Sequence, residues 1–242
     1  MIEFRNVDKT FGGRDILRDV SLTVECGEFF VLVGMSGAGK TTILKMMNRL
    51  VEPDSGEILF QDRKLTDWDL RELRLNIGYV LQQGALFPNL TVGENIGLIP
   101  GLKEWDKAET EKEAKRLLAL VGLDPAVYYD RCPRQLSGGE KQRVGILRAI
   151  ITKPRLLLMD EPFSALDPII RRDLQKLIRF LHEELEMTVA FVTHDMREAM
   201  LLADRIGIVE NGRVVQVDTP ADILKRPADA FVRKLFESED LL

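Results

Sequence analysis

The sequence predicts an α/β core interrupted by a mainly helical subdomain. Two observations lead there. FFVLVG (29–34) and LLLMDE (156–161) carry the continuous apolar runs of strands buried on both faces of a sheet. Strand signals then vanish between about 88 and 153, where helical patterns such as KAETEKEAKRLLALVGL dominate. Taken in order, IEFRNV, SLTVE and FFVLVG read as strands near the start, and LLLMD, TVAFVTH, RIGIVE and RVVQV as strands later. Helices are expected at about 40–50, 138–151, 170–185 and 195–203, and TPADILKRPADAFVRKLF reads as two short ones. The expected division is a single domain over 1–242, with 1–87 and 154–242 as the core and 88–153 as the helical insertion. No internal repeat or low-complexity linker interrupts it.

Composition narrows the function. Of 242 residues, 45% are hydrophobic and 30% charged, an ordinary globular balance. The net charge of −5 offers no basic field for nucleic acid. No apolar run approaches the roughly 20 residues that span a bilayer, and MIEFRNVDKT lacks a signal-peptide core. Cys26 and Cys132 are far apart and lack metal-ligand spacing, so they read as buried spare thiols of a reduced, cytosolic protein.

GMSGAGKTT begins at Gly34, directly after a strand and before the helical run TTILKMMNRL. It fits G-x-x-x-x-G-K-[ST], in which glycines let backbone N–H groups curl around phosphate oxygens. Lys40 is placed to reach the β- and γ-phosphates, and the Thr41 hydroxyl to bind Mg²⁺. A plain glycine-rich turn would explain the glycines but not Lys40 and Thr41 between a strand and a helix.

LLLMDEP puts two carboxylates at the end of a buried strand. A lone Asp there would most simply cap the next helix. Beside a phosphate loop, Asp160 is expected to hold the metal through its water, and Glu161 to polarise the attacking water. His194 ends the strand TVAFVTH, at the kind of strand tip where α/β sheets bind ligands, and could donate to a γ-phosphate. Gln82, ending IGYVLQ, reads on chemistry alone as a surface glutamine.

LSGGEKQRVGILRAI (136–150) contains a contradiction. Ser137 and Glu140 have capping-box spacing, yet Gly138 and Gly139 fill the first turn, where glycine is a poor helix former. A capped helix that starts with two glycines presents bare N–H groups with no Cβ in the way, which suits an anion. The phosphate loop already cradles one nucleotide, so this second cradle points to a nucleotide held by another copy or subunit.

With those motifs in this order, the chain resembles the ATP-binding cassette (ABC) family over nearly its whole length. GMSGAGKT resembles Walker A, and LLLMD with Glu161 resembles Walker B and its catalytic glutamate. LSGGE resembles the family signature, with Glu140 where glutamine is commoner. Gln82 matches the Q-loop glutamine, SALD (164–167) the D-loop and His194 the switch histidine. Phe11 falls where the family stacks an aromatic on adenine.

The resemblance implies a P-loop NTPase (RecA-like) core with an antiparallel β subdomain and an inserted helical subdomain. It implies that Gly34, Met35, Ser36, Gly37, Ala38, Gly39, Lys40, Thr41, Thr42 and Phe11 bind ATP. It also implies that Thr41, Gln82 and Asp160 hold Mg²⁺, and that Glu161, His194 and Gln82 are catalytic. Ser137, Gly138, Gly139, Glu140 and Asp167 would face the nucleotide of a second cassette in a homodimer. A separate membrane permease, docked through the Q-loop and LFPNLTVGENI, and indirectly a solute-binding protein, complete the implied assembly at the cytoplasmic face of the membrane.

LKMMNRLVEPDSGEI, IGYVLQQGALFPNLTVGENI and VGLDPAVYYDR resemble the importers of glycine betaine, choline or carnitine; many of those cassettes append paired CBS domains, and regulation through such domains is expected to be absent here. A polar amino-acid importer is the runner-up. An exporter motor shares the catalytic chemistry. A non-transport ABC ATPase would be expected to carry two cassettes or a long coiled coil, and a metabolic P-loop kinase leaves LSGGE unexplained.

Overall fold

FFVLV forms a strand with all five side chains buried, and a strand without a polar face needs cover on both sides. In this computed structural model, which describes residues 1–81, 85–164 and 166–237, it is β3. In chain order the strands are β1 Ile2–Phe11, β2 Arg14–Val24, β3 Phe29–Val33, β4 Ser55–Phe60, β5 Arg63–Lys64, β6 Ile77–Val80, β7 Leu156–Asp160, β8 Thr188–Val192, β9 Arg205–Glu210 and β10 Arg213–Asp218. The first helices are α1 Lys40–Met47, α2 Leu70–Leu75, α3 Val92–Ile96, α4 Leu98–Leu102, α5 Lys107–Leu120 and α6 Pro125–Tyr128. They are followed by α7 Gly138–Ile150, α8 Pro168–Leu185, α9 Met196–Leu202, α10 Pro220–Lys225 and α11 Ala230–Glu237.

The chain divides into two compact units, 1–74 with 188–242, and 75–187. In the first, β2, β1, β4 and β5 pair in that order as an antiparallel sheet. Beside it in sequence, β3 lies parallel between β8 and β9, and β10 closes a hairpin with β9. The hairpin turns share one device. Gly12–Gly13, Gln61–Asp62 and Asn211–Gly212 are two-residue loops with both φ positive, which matches the right-handed twist of the strands they join. The runs IEFRNV and SLTVE are therefore the buried ends of longer strands that meet at Gly12–Gly13.

The second unit pairs β6 parallel to β7 and holds α3 to α8. Its described residues between 88 and 153 contain no strand. Asn95, fully buried on α3, organises LFPNL. Its Oδ1 accepts from the Phe87 N–H at 2.8 Å, and its Nδ2 donates to the carbonyls of Phe87, Leu90 and Thr91. A buried amide with every hydrogen-bonding group engaged rigidifies the loop it anchors.

One expectation fails. Cys26 is exposed and Cys132 half-buried, because each sits in a connection, Cys26 between β2 and β3 and Cys132 between α6 and α7. Among the described residues no helix is long and apolar enough to cross a membrane.

Candidate functional site

In the first unit, β3 runs into the loop 34–39 and then α1. Gly34 has φ 149, and a Cβ there would lie 2.1 Å from the Val209 carbonyl oxygen, so no side chain fits. Gly39 caps α1 with φ 106 and offers no side-chain oxygen, which leaves the first-turn N–H groups without a side-chain cap. Lys40 is 5% exposed, and its ammonium donates to the carbonyls of Gly34 at 2.8 Å and Met35 at 3.0 Å. The loop thus wraps a buried positive charge at a helix start without a side-chain cap, a combination that suits an anion. Met35, Ser36 and Gly37 are exposed on its rim, Ala38 and Gly39 are buried, and Thr41 and Thr42 are half-buried.

His194 reaches solvent at the same edge of the same sheet. Leu32 of β3 pairs with Val192 of β8, and the Thr193 N–H continues the ladder to the Leu32 carbonyl at 3.2 Å. Gly34 and His194 each follow their strand's paired residue by two positions, at the carboxyl ends where such sheets bind ligands. The residues around His194 are pinned. The Thr193 hydroxyl donates to Glu198 at 2.6 Å with both residues buried, and the Asp195 N–H donates to the Thr193 hydroxyl at 3.0 Å. Asp195 in turn caps α9 through the N–H groups of Arg197 and Glu198. Sequence reasoning passed over this network, although D-x-x-E at 195–198 has the spacing of a helix start. Phe11 is 49% exposed, with the Lys9 ammonium 5.1 Å from its ring centre.

In the second unit, Asp160 ends β7, half-exposed, and Glu161 turns the chain in a left-handed conformation at φ 45. A non-glycine residue there carries strain of the kind found at functional sites. The Ser164 hydroxyl and N–H both donate to the Glu161 carbonyl and hold the turn. On β6, the Tyr79 phenol is pushed well above its ordinary range, first by burial and then by the Asp160 carboxylate beside it.

The signature starts α7 as the spacing predicts. The Glu140 N–H donates to Ser137 Oγ at 3.3 Å, and the Ser137 N–H to Glu140 Oε2 at 2.7 Å, a complete capping box. The two glycines differ. Gly139 is buried, and a Cβ on it would lie 2.6 Å from Ile170 Cγ2 of α8, so the chain's own packing requires it. Gly138 is exposed, with only an ordinary 3.7 Å contact to Leu166 for an added Cβ. These contacts bring the signature beside the turn into α8, where Asp167 is the exposed N-cap, accepting from Ile169 and Ile170. Gln82 lies outside the described residues. Among those described, no three His, Cys, Asp or Glu side chains cluster as a metal cage.

The family model described as ABC transporter matches residues 17–164, more than half of the chain. The chain belongs to the ABC transporter family. Among ABC relatives, the choline transport ATP-binding protein OpuBA of Bacillus subtilis is 49% identical over 100% of this chain and 64% of its own length. The carnitine transport ATP-binding protein OpuCA of Listeria monocytogenes is 47% identical over 100% of this chain and 61% of its own. The chain therefore spans less than two thirds of either. The glycine betaine uptake system ATP-binding protein YehX of Escherichia coli is 45% identical, over 78% of its length. A solved ABC cassette, the dimer of MJ0796 in a post-hydrolysis state bound to ADP and Pi, superposes with a TM-score of 0.80. It is 34% identical and covers 91% of this chain and 99% of its own.

Proposed function

We propose that this chain is the ATP-hydrolysing subunit of an importer for quaternary-amine osmoprotectants. It would act at the cytoplasmic face of the membrane, as a pair of cassettes on a separate permease that a solute-binding protein supplies. The observation that carries the ATPase reading is the loop 34–39 wrapped around buried Lys40, which is built for a polyphosphate. The substrate class rests on the choline, carnitine and glycine betaine systems named among the relatives.

Each residue then has a task. The N–H groups of the phosphate loop and Lys40 bind the β- and γ-phosphates, and Phe11 stacks on the adenine. Thr41, Asp160 and Gln82 supply hydroxyl, carboxylate and amide oxygens, a donor set that suits Mg²⁺, which keeps water and phosphate as its other ligands. When bound, Mg²⁺ neutralises charge on the phosphates. Glu161 takes a proton from the attacking water, and His194 donates to the γ-phosphate. Ser137, Gly138 and Asp167 face the nucleotide of the second copy, Gly139 and Glu140 shape the helix start that presents them, and LFPNL with α3 belongs to the permease-docking surface.

The test is reconstitution with the permease and binding protein encoded beside the chain. ATP hydrolysis should be stimulated by choline, carnitine or glycine betaine. Stimulation by an amino acid such as glutamine, with none by these, would overturn the substrate class.

A further inference from the structure

Glu140 stands in the signature where glutamine would bring no charge. An ionised carboxylate two residues from exposed Gly138 should repel a phosphate approaching that helix start. The structure contains an answer to that repulsion. The Tyr128 hydroxyl, at the end of α6, donates to Glu140 Oε1 at 2.6 Å, while the Ser137 N–H donates to Oε2 at 2.7 Å. Both carboxylate oxygens are thus engaged within the chain. The Arg131 guanidinium lies 4.6 Å from the centre of the Tyr128 ring and adds positive charge beside the pair. Glu140 is held below the usual carboxylate range, first by the Tyr128 hydroxyl and next by the Ser137 N–H, so it is ionised in the clamped state.

We propose that Tyr128 is a positioning residue for the in-trans nucleotide site: it clamps Oε1 of Glu140 and keeps the charge off the exposed Ser137–Gly138 edge. Glu140 then works as the clasp of the helix start rather than as a nucleotide contact. This rests on the reading of Ser137 and Gly138 as contacts to a second copy's nucleotide. The capping box itself is made by Ser137 and Glu140 alone, and Tyr128 adds a second hold on the carboxylate. The clamp is needed only because residue 140 is charged.

The experiment is a double-mutant cycle on the full chain with Tyr128→Phe, Glu140→Gln and both together. Dimerisation is followed by sedimentation against a slowly hydrolysed ATP analogue, and nucleotide affinity is measured on dilute monomer. With Glu140 in place, Tyr128→Phe should raise the analogue concentration for half-dimerisation about three- to tenfold, the range expected when a charged group loses a partly exposed hydrogen bond. In the Glu140→Gln background the same change should cost less than about twofold, and raising the salt should shrink the cost seen with Glu140 by screening. Monomer affinity should not move, which separates the effect from misfolding. Equal cost in both backgrounds, or none with Glu140 in place, would overturn the inference alone. Wild-type protein that stays monomeric at saturating analogue would overturn the two-copy reading and the inference with it.

Discussion

At the scale of single residues, the chemistry assigned to Glu161 and His194 depends on how firmly the chain holds them. Glu161 turns in a left-handed conformation, braced by Ser164. If its carboxylate polarises the attacking water, Glu161→Gln should keep ATP binding and lower turnover by about 10²-fold or more. Equilibrium binding and a phosphate-release assay on the same preparation check this, and near-normal turnover would remove Glu161 from that role. His194 is exposed, but the residue before it is buried and bonded to Glu198. Thr193→Val takes one partner from a buried carboxylate and should cost about 1–3 kcal/mol in stability by denaturant titration, whereas Thr193→Ser should recover most of it. A Val variant as stable as wild type would show that the 2.6 Å bond contributes nothing.

At the scale of elements, α7 shows why adjacent glycines need separate explanations. Close approach by a ligand is a sufficient reason for Gly138, which is open, but Gly139 is enclosed by Ile170 of α8. Gly139→Ala should therefore overpack that contact and destabilise the protein by about 1–3 kcal/mol. Gly138→Ala should be neutral or slightly stabilising, since alanine is the better helix former. Thermal melts of the two variants side by side distinguish them, and equal melting temperatures would show that Ile170 yields freely. The same comparison limits what LSGGE can mean as a motif: one of its glycines serves the chain's own core.

At the scale of the molecule, the exposed edge at Ser137 and Gly138 is where the proposed pairing of two cassettes is tested. A carboxylate placed there by Gly138→Asp would face a phosphate at short range. At about 4 Å each such pair of charges costs from about 1 kcal/mol in water to about 4 kcal/mol near a protein surface. ATP-driven dimerisation should be lost in size-exclusion chromatography, with nucleotide binding to the monomer retained, because the loop 34–39 and Lys40 lie in the other unit of the chain. A Gly138→Asp protein that still dimerises with ATP would end the two-copy reading.

Everything the sequence settled by itself is local. The spacing of Gly34, Gly39, Lys40 and Thr41 marks a strand, a glycine-rich loop and a helix, and Ser137 with Glu140 marks the start of α7, because such patterns act within a turn or two of backbone. The β-branched and apolar runs of β3, β7 and β8 declared their burial for the same reason. Less visible were SGEILF and its short partner Arg63–Lys64, which pair through a Gln61–Asp62 turn with none of the usual glycine or asparagine signal. What only the tertiary structure decided are contacts between residues far apart in the chain. Ile170 makes Gly139 obligatory, Tyr128 claims an oxygen of Glu140, and the pairing of Leu32 with Val192 brings Gly34 and His194 to one sheet edge. No periodicity encodes them, because each depends on where separate elements come to rest once their apolar faces are buried.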